Sequence, residues 1–349
     1  MKVVIIGLSL SSSWGNGHAT TYRSLIKGLR QRGHQVTFFE RTETWYAAHR
    51  DLPRCDSLHF YESAVELLYQ WQEAFKQADL IIIGSYVVES GALIRDFKRS
   101  APAVLAFYDI DTPVTIAQVR HDRCAYLERD LLPEFDLYLS FSGGDVLDEL
   151  RSLGARRPVP LYCSVDPEVH APVPVPFDID LGYLGTYSED RQPGLVELLL
   201  GPAADWNEGR FAVAGPQYPD AGTWPRNVQH LQHLPPQEHA NFYCSQRFTL
   251  NLTRADMRRM GYSPSVRLFE AACCGTPVIS DEWAGLNTYF RTGEEILVAR
   301  SGEDVLGYVK DMTDSDRATI SAAARTRVLS SHTGLQRAIE LEAQLQEYV

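Results

Sequence analysis

No stretch of the sequence holds the roughly 18–20 consecutive apolar residues that a bilayer-spanning helix needs, so no integral membrane segment is expected. The opening run MKVVIIGLSL has one lysine and then apolar residues, but no small-residue cleavage region follows it. It reads as a buried first strand, not a secretory signal. Cysteine is scarce. The six, at 55, 124, 163, 244, 273 and 274, show no C-x-x-C spacing, which argues against a zinc ribbon or a disulfide scaffold and for free thiols in a reducing cytoplasm. Basic residues are outnumbered, 33 Lys and Arg against 45 Asp and Glu, for a net charge of −12. That balance argues against non-specific nucleic-acid binding and a polybasic membrane face, while leaving room for a local basic pocket. There is no solenoid-period repeat, no low-complexity tract and no G-x-G-x-x-G, and the last absence argues against a nicotinamide dehydrogenase.

What is present is ordinary globular composition, 44% hydrophobic and 22% charged, in a chain of 349 residues, long enough for two cores. A β-branched run at 3–7, a Ser- and Gly-rich loop, a helical pattern over 18–31 and a strand at 35–40 form the opening of a doubly wound α/β domain. Further apolar strands are expected at 80–84, 104–108 and 137–141, of the kind buried on both faces of a parallel sheet. Residues 166–176 carry four prolines in eleven positions and read as an extended linker. A second strand series follows at 179–184, 211–214, 248–251 and 277–280, and 335–348 has helical spacing. Two α/β domains with a mid-chain linker imply a cleft, with ligands at the carboxyl ends of strands.

Four segments have the residues to carry chemistry. In SPSVRLFEAACCGTPVISD (263–281), Pro264 and Gly275 bracket a helix on which Arg267 and Glu270 share a face. A plain surface ion pair and a ligand site both fit that spacing. YLGTYSEDR (183–191) is a strand running into a glycine turn, with Arg191 either a cation for phosphate or a solvated turn residue. Gly15, Asn16 and Gly17 precede His18 at a helix start, where glycine lets the backbone approach a ligand and free N–H groups favour an anion. His18 is a candidate for acceptor activation or phosphate contact, or a loop-packing histidine. FYDIDTPVT (107–115) ends a buried strand with two acids, so Asp109 or Asp111 is a candidate acceptor base and Asp111 equally a helix cap.

The 263–281 segment, with its S-x-R-x-F-E-A helix, C-G-T-P-V-I-S-D and the following W-x-G-L, resembles the donor-binding signature of GT-B glycosyltransferases, in particular the spore-maturation-protein-like (CgeB-type) family. The matching residues are Ser265, Arg267, Phe269, Glu270, Gly275, Thr276, Pro277, Asp281, Trp283, Gly285 and Leu286. The resemblance also covers D-x-D-T-P-V-T and C-S-V-D-P (163–167). It implies two Rossmann-like domains facing across a cleft and transfer of a sugar from a nucleotide diphosphate, UDP being the expected nucleotide, to an acceptor hydroxyl. Glu270 would accept hydrogen bonds from the ribose diol. Gly185, Thr186, Arg191, Gly215, Arg254, Arg267, Trp283, Gly285, Leu286 and Asn287 would complete the donor site, and guanidinium groups would meet the charge growing on the diphosphate. Many retaining relatives have glutamate where Tyr262 stands and arginine where Thr186 stands.

The expected domains are 1–168, a linker at 169–177, a donor domain at 178–333, and a helix at 334–349 packing back on the first domain. His18, Asp109 and Asp111 are the catalytic candidates, on the acceptor side. No cofactor and no metal site is expected, retention of configuration follows from the resemblance, and a homodimer is the assembly to test. Two rivals stand beside a transferase: a nucleotide-sugar epimerase of the same architecture, and a silent sugar-nucleotide- or glycan-binding protein.

Overall fold

The computed structural model describes residues 1–14, 17–52, 55–101 and 103–348. It divides into two compact units, Met1–Ser164 with Thr333–Val349, and Val165–His332. The division falls at Val165, so the proline-bearing stretch groups with the second unit.

Among the described residues, the first unit is built on seven parallel strands: β1 (Lys2–Gly7), β2 (Gln35–Arg41), β3 (Leu58–Tyr61), β4 (Leu80–Gly84), β5 (Val104–Asp109), β6 (Leu137–Ser140) and β7 (Pro158–Pro160). Their order is β3-β2-β1-β4-β5-β6-β7, with Val3 opposite both Val36 and Leu80. The chain reverses its direction of travel between β1 and β4, the crevice where doubly wound sheets bind ligands. β1 and β4 are β-branched and buried almost throughout, as strands covered by helices on both faces must be. One cover is the helix His18–Gln31, which turns Ala19, Tyr22, Leu25 and Leu29 inward. The last helix, Gly334–Leu345, packs on it at backbone contact: a Cβ on Gly28 would lie 2.1 Å from the Gly334 carbonyl oxygen.

The second unit repeats the plan with six strands: β8 (Ile179–Leu184), β9 (Phe211–Ala214), β10 (Val228–Leu231), β11 (Gln246–Asn251), β12 (Val278–Ser280) and β13 (Leu297–Val298). All pairs are parallel, in the order β10-β9-β8-β11-β12-β13, so the reversal lies between β8 and β11. Leu181, Phe211, Phe248, Leu250 and Ile279 form its core with helices on either side.

Every strand expected from sequence is present. The four not foreseen, β3, β7, β10 and β13, are the edges of the two sheets. They are two to four residues long, and β7 has prolines at both ends, which cannot donate to a ladder. Edge strands of this kind carry little hydrophobic pattern to read. Among the described residues no helix is long and apolar enough to cross a membrane, and all six cysteines are free thiols.

Candidate active site

In the first unit, polar groups gather at the carboxyl ends of β1, β4 and β5. The loop after β1 is held by Glu40 at the end of β2. Its buried carboxylate accepts from the backbone N–H groups of Leu10 (2.6 Å) and Ser11 (2.8 Å) and from the Ser11 hydroxyl. The loop leads to Gly17, the N-cap, and to His18, the first residue of the following helix. Gly15 and Asn16, expected beside the ligand, lie outside the described residues. His18 is 7% exposed, and its Nε2 stands 3.9 Å from Asp111 Oδ2. Its Nδ1 is buried with no hydrogen-bond partner among the described residues.

Asp111 begins the helix Thr112–Arg120, but its carboxylate makes no capping bond, which removes the simple cap reading. Instead Oδ2 accepts from the Tyr86 hydroxyl at 2.8 Å, and the Tyr86 ring meets the His18 ring edge-on at 5.4 Å between centroids. Tyr86 has a φ of +65°, a conformation that a bulky residue adopts only when the surroundings impose it. The turn after β4 thus holds a strained backbone that presents a hydroxyl to Asp111. Nothing in the sequence around Tyr86 announces this.

Asp109 departs from the expectation of an acceptor base. It is fully buried. One oxygen takes the Thr115 hydroxyl (2.6 Å) and the Asp111 amide (3.3 Å), and the other takes the Tyr138 hydroxyl (2.6 Å). Burial pushes its carboxyl up to about 6, against hydrogen bonds that favour the charged form. It shapes the turn that presents Asp111, and its carboxylate is closed off from solvent.

In the second unit the corresponding strand ends hold Arg267. Its helix, Val266–Cys273, starts with Ser265, whose side chain accepts from the Arg267 amide, so Ser265 acts here as the cap. Arg267 is 8% exposed. Its Nε donates to the Leu184 carbonyl at the end of β8, its Nη1 donates to Asn251 Oδ1 at the end of β11 (3.1 Å), and its guanidinium lies 4.9 Å over the Tyr183 ring. All these partners are neutral. The surface ion pair with Glu270 that the spacing allowed is not formed. The guanidinium is thus desolvated at the reversal point with no carboxylate partner among the described residues.

Glycine makes room for it. A Cβ on Gly185 would come 2.9 Å from Arg267 Nη2, and one on Gly215, at φ +147°, would come 2.0 Å from the Gly185 carbonyl oxygen. Tyr218 donates to that same carbonyl at 2.9 Å. Arg191 folds back through Nη2 onto the Thr186 carbonyl (2.7 Å) and keeps Nε buried and unpartnered. Five of the expected donor residues, Gly185, Thr186, Arg191, Gly215 and Arg267, are therefore brought to one place.

Glu270, one turn further along the helix, is 5% exposed. Its Oε2 accepts from the Tyr243 hydroxyl (3.1 Å), and its Oε1 is 3.7 Å from His170 Nε2. His239 completes a group with His170 and Glu270 whose ligand atoms all lie within 4.8 Å of one another. No metal site was expected from the sequence, where these residues stand far apart. This one is assembled from three distant segments with no motif spacing. The W-x-G-L loop is structural in part: Trp283 and Leu286 are buried, and Gly285, at φ +91°, has no room for a Cβ beneath the Tyr262 ring (2.4 Å). Arg254 and Asn287 are exposed, and Arg254 lies 3.9 Å from Asp190.

Residues 191–343 match the family model described as "Glycosyl transferase-like". No curated protein sequence matches the chain. Among solved structures, sucrose-phosphate synthase from Thermosynechococcus elongatus superposes with a TM-score of 0.71 at 15% identity, over 100% of this chain and 99% of the other. Anabaena HepE in complex with UDP and glucose gives 0.68 at 12% identity, over 99% and 100%. An alpha-glucosyltransferase in complex with UDP gives 0.72 at 13% identity, over 99% of each chain. At such identities the likeness is one of fold, and the fold is that of the GT-B glycosyltransferases.

Proposed function

We propose that this protein is a glycosyltransferase that moves a sugar from a nucleoside diphosphate, UDP in the first instance, to an acceptor hydroxyl. The observation that carries the reading is Arg267, a buried guanidinium with only neutral partners at the β8–β11 reversal. Phosphate oxygens would supply the missing negative charge, and the charge that builds on the leaving diphosphate would strengthen the contact in the transition state. Arg191 supports the same site. Glu270, with Tyr243 holding one of its oxygens, is our candidate for the ribose diol. The match of residues 191–343 to a glycosyl transferase-like model supports assigning these roles to the second unit.

In the first unit, His18 and Asp111 form the pair we assign to the acceptor. Imidazole beside carboxylate is suited to take a proton from a hydroxyl as the new bond forms. Within the same reading, the S-x-R-x-F-E-A helix and the D-x-D-T-P-V-T segment favour the spore-maturation-protein-like group, with retention at the anomeric carbon. NMR of the product's anomeric proton tests the second point. Because guanidinium groups meet the diphosphate, transfer is proposed to run without Mg²⁺ or Mn²⁺. Turnover that starts only when either ion is added would count against this. A cytoplasmic homodimer is the form to look for by fractionation and light scattering.

The deciding experiment is a thermal-shift screen of UDP and UDP-sugars followed by UDP release with candidate acceptors. A ligand at 100 times its Kd stabilises by about 2.7 kcal/mol. A donor that stabilises the protein and turns over only with an acceptor supports the transferase. An epimer formed without acceptor would mark an epimerase instead, and stabilisation without any turnover a binding protein.

A further inference from the structure

We infer that His170, His239 and Glu270 form a binding site for one divalent transition-metal ion of the zinc class. The three side chains come from the segment after Val165, the start of the helix His239–Cys244, and the middle of the helix Val266–Cys273. Each offers one ligand atom, and these atoms lie within 4.8 Å of one another. His170 is 4% exposed, yet neither ring nitrogen has a hydrogen-bond partner among the described residues. A buried imidazole left without partners carries an unrepaid desolvation penalty, so the fold holds it there at a cost. Its Nε2 points toward Glu270 Oε1 at 3.7 Å, too long for a hydrogen bond. It is close to the roughly 3.3 Å that separates two ligands of a tetrahedral zinc ion at the usual bond lengths.

The donor set selects the metal. Two imidazoles and one carboxylate suit zinc, cobalt or nickel and disfavour magnesium and calcium, which prefer all-oxygen shells. Three protein ligands leave a fourth position for water. The Tyr243 hydroxyl on Glu270 Oε2 is an outer-shell bond of the kind that fixes a ligating carboxylate in orientation. A carboxylate has about four lone-pair sites, so coordination through Oε1 leaves Glu270 able to accept from a ribose hydroxyl as well. The inference shares Glu270 with the donor reading but does not rest on it, and it is tested without nucleotide.

The test is zinc uptake by the full chain, stripped with a chelator and then titrated with Zn²⁺ alone, with metal counted by mass spectrometry after gel filtration. One equivalent per chain is expected, with affinity at least 100-fold weaker in folded His170→Ala and His239→Ala variants. Cobalt in the wild-type chain should give the visible spectrum of a nitrogen–oxygen site with no thiolate charge-transfer band, which keeps the proposal testable if a variant fails to fold. No uptake at 100-fold excess zinc would overturn it. So would uptake unchanged in both folded variants, or a thiolate band, which would place the metal on the cysteines.

Discussion

His18 Nε2 and Asp111 Oδ2 stand 3.9 Å apart at the carboxyl end of the first sheet, and the Tyr86 hydroxyl bonds the same Asp111 oxygen. The histidine opens the helix that follows β1, and the aspartate occupies the position just before the helix that follows β5. Each is set by its own strand end, and a polar pair at that crevice is the arrangement a proton-accepting site requires. His18→Ala and Asp111→Asn should each lower kcat by about 10²- to 10⁴-fold while leaving UDP affinity unchanged. Parallel turnover and calorimetric titrations check this. Full turnover in both folded variants would put the acceptor chemistry elsewhere.

Arg267 and Glu270 should separate by what each touches. Arg267→Met deletes the charge proposed to face the diphosphate, and Glu270→Ala deletes the proposed ribose acceptor. Each should weaken UDP binding by about 1.5–3 kcal/mol, the range for a hydrogen bond to a charged group. The distinguishing ligand is uridine, which has the ribose and no phosphate: Glu270→Ala should weaken it, and Arg267→Met should not. Equal losses for uridine in the two variants would contradict the division of roles.

How much of this was legible beforehand depends on whether the information was local. The central strands announced themselves because burial on both faces forces apolar runs, and Pro264 and Gly275 bracketed the helix between them, while the Ser265 cap is visible only in the structure. The edge strands did not, since a half-solvated strand of two to four residues has no run to see. The site split the same way. Gly185, Gly215, Arg191 and Arg267 lie next to strand ends that sequence can place. Asp109 and Asp111 are two residues apart and chemically identical, yet one points into the core against Tyr138 and the other toward His18. Strand alternation puts successive side chains on opposite faces, but which aspartate reaches the surface is decided by the turn after β5, where that period ends. His170 and His239 were silent because their meeting with Glu270 is tertiary.

The close approach of the first and last helices makes a stability prediction. A Cβ at Gly28 would sit 2.1 Å from the Gly334 carbonyl oxygen, and one at Gly334 would sit 1.9 Å from the Ser24 carbonyl oxygen. Both obstacles are backbone, so neither helix can yield by a rotamer change. In an exposed helix, Gly→Ala gains up to about 1 kcal/mol from propensity. Here Gly28→Ala should instead destabilise the first unit by about 1–3 kcal/mol, the cost of overpacking. Denaturant melts read the sign directly. A stabilised Gly28→Ala protein would mean that the helices do not pack in this way.

Asp109 gives a prediction in pH. Its folded carboxyl is pushed up to about 6 by burial, against about 3.9 in an unfolded chain. Between those values the native state holds a proton that the unfolded state has released, so unfolding sheds protons and stability falls as pH rises. The contribution is fully present below pH 4 and lost once pH has passed about 6. Other carboxylates titrate in the same window, so the comparison must be made against Asp109→Asn, which keeps the shape and removes the titration. The amide is expected to be less stable than the wild type at pH 4, since its one carbonyl oxygen can take one of the Thr115 and Tyr138 hydroxyls while its NH2, a donor, faces the other. Relative to wild type it should recover by on the order of 2–3 kcal/mol on going to pH 7. Denaturant unfolding of both proteins at several pH values between 4 and 7 measures that difference. A gap that stays constant across the range would show that Asp109 ionises as readily in the fold as outside it, and a gap that widens toward pH 7 would show that its hydrogen bonds outweigh its burial.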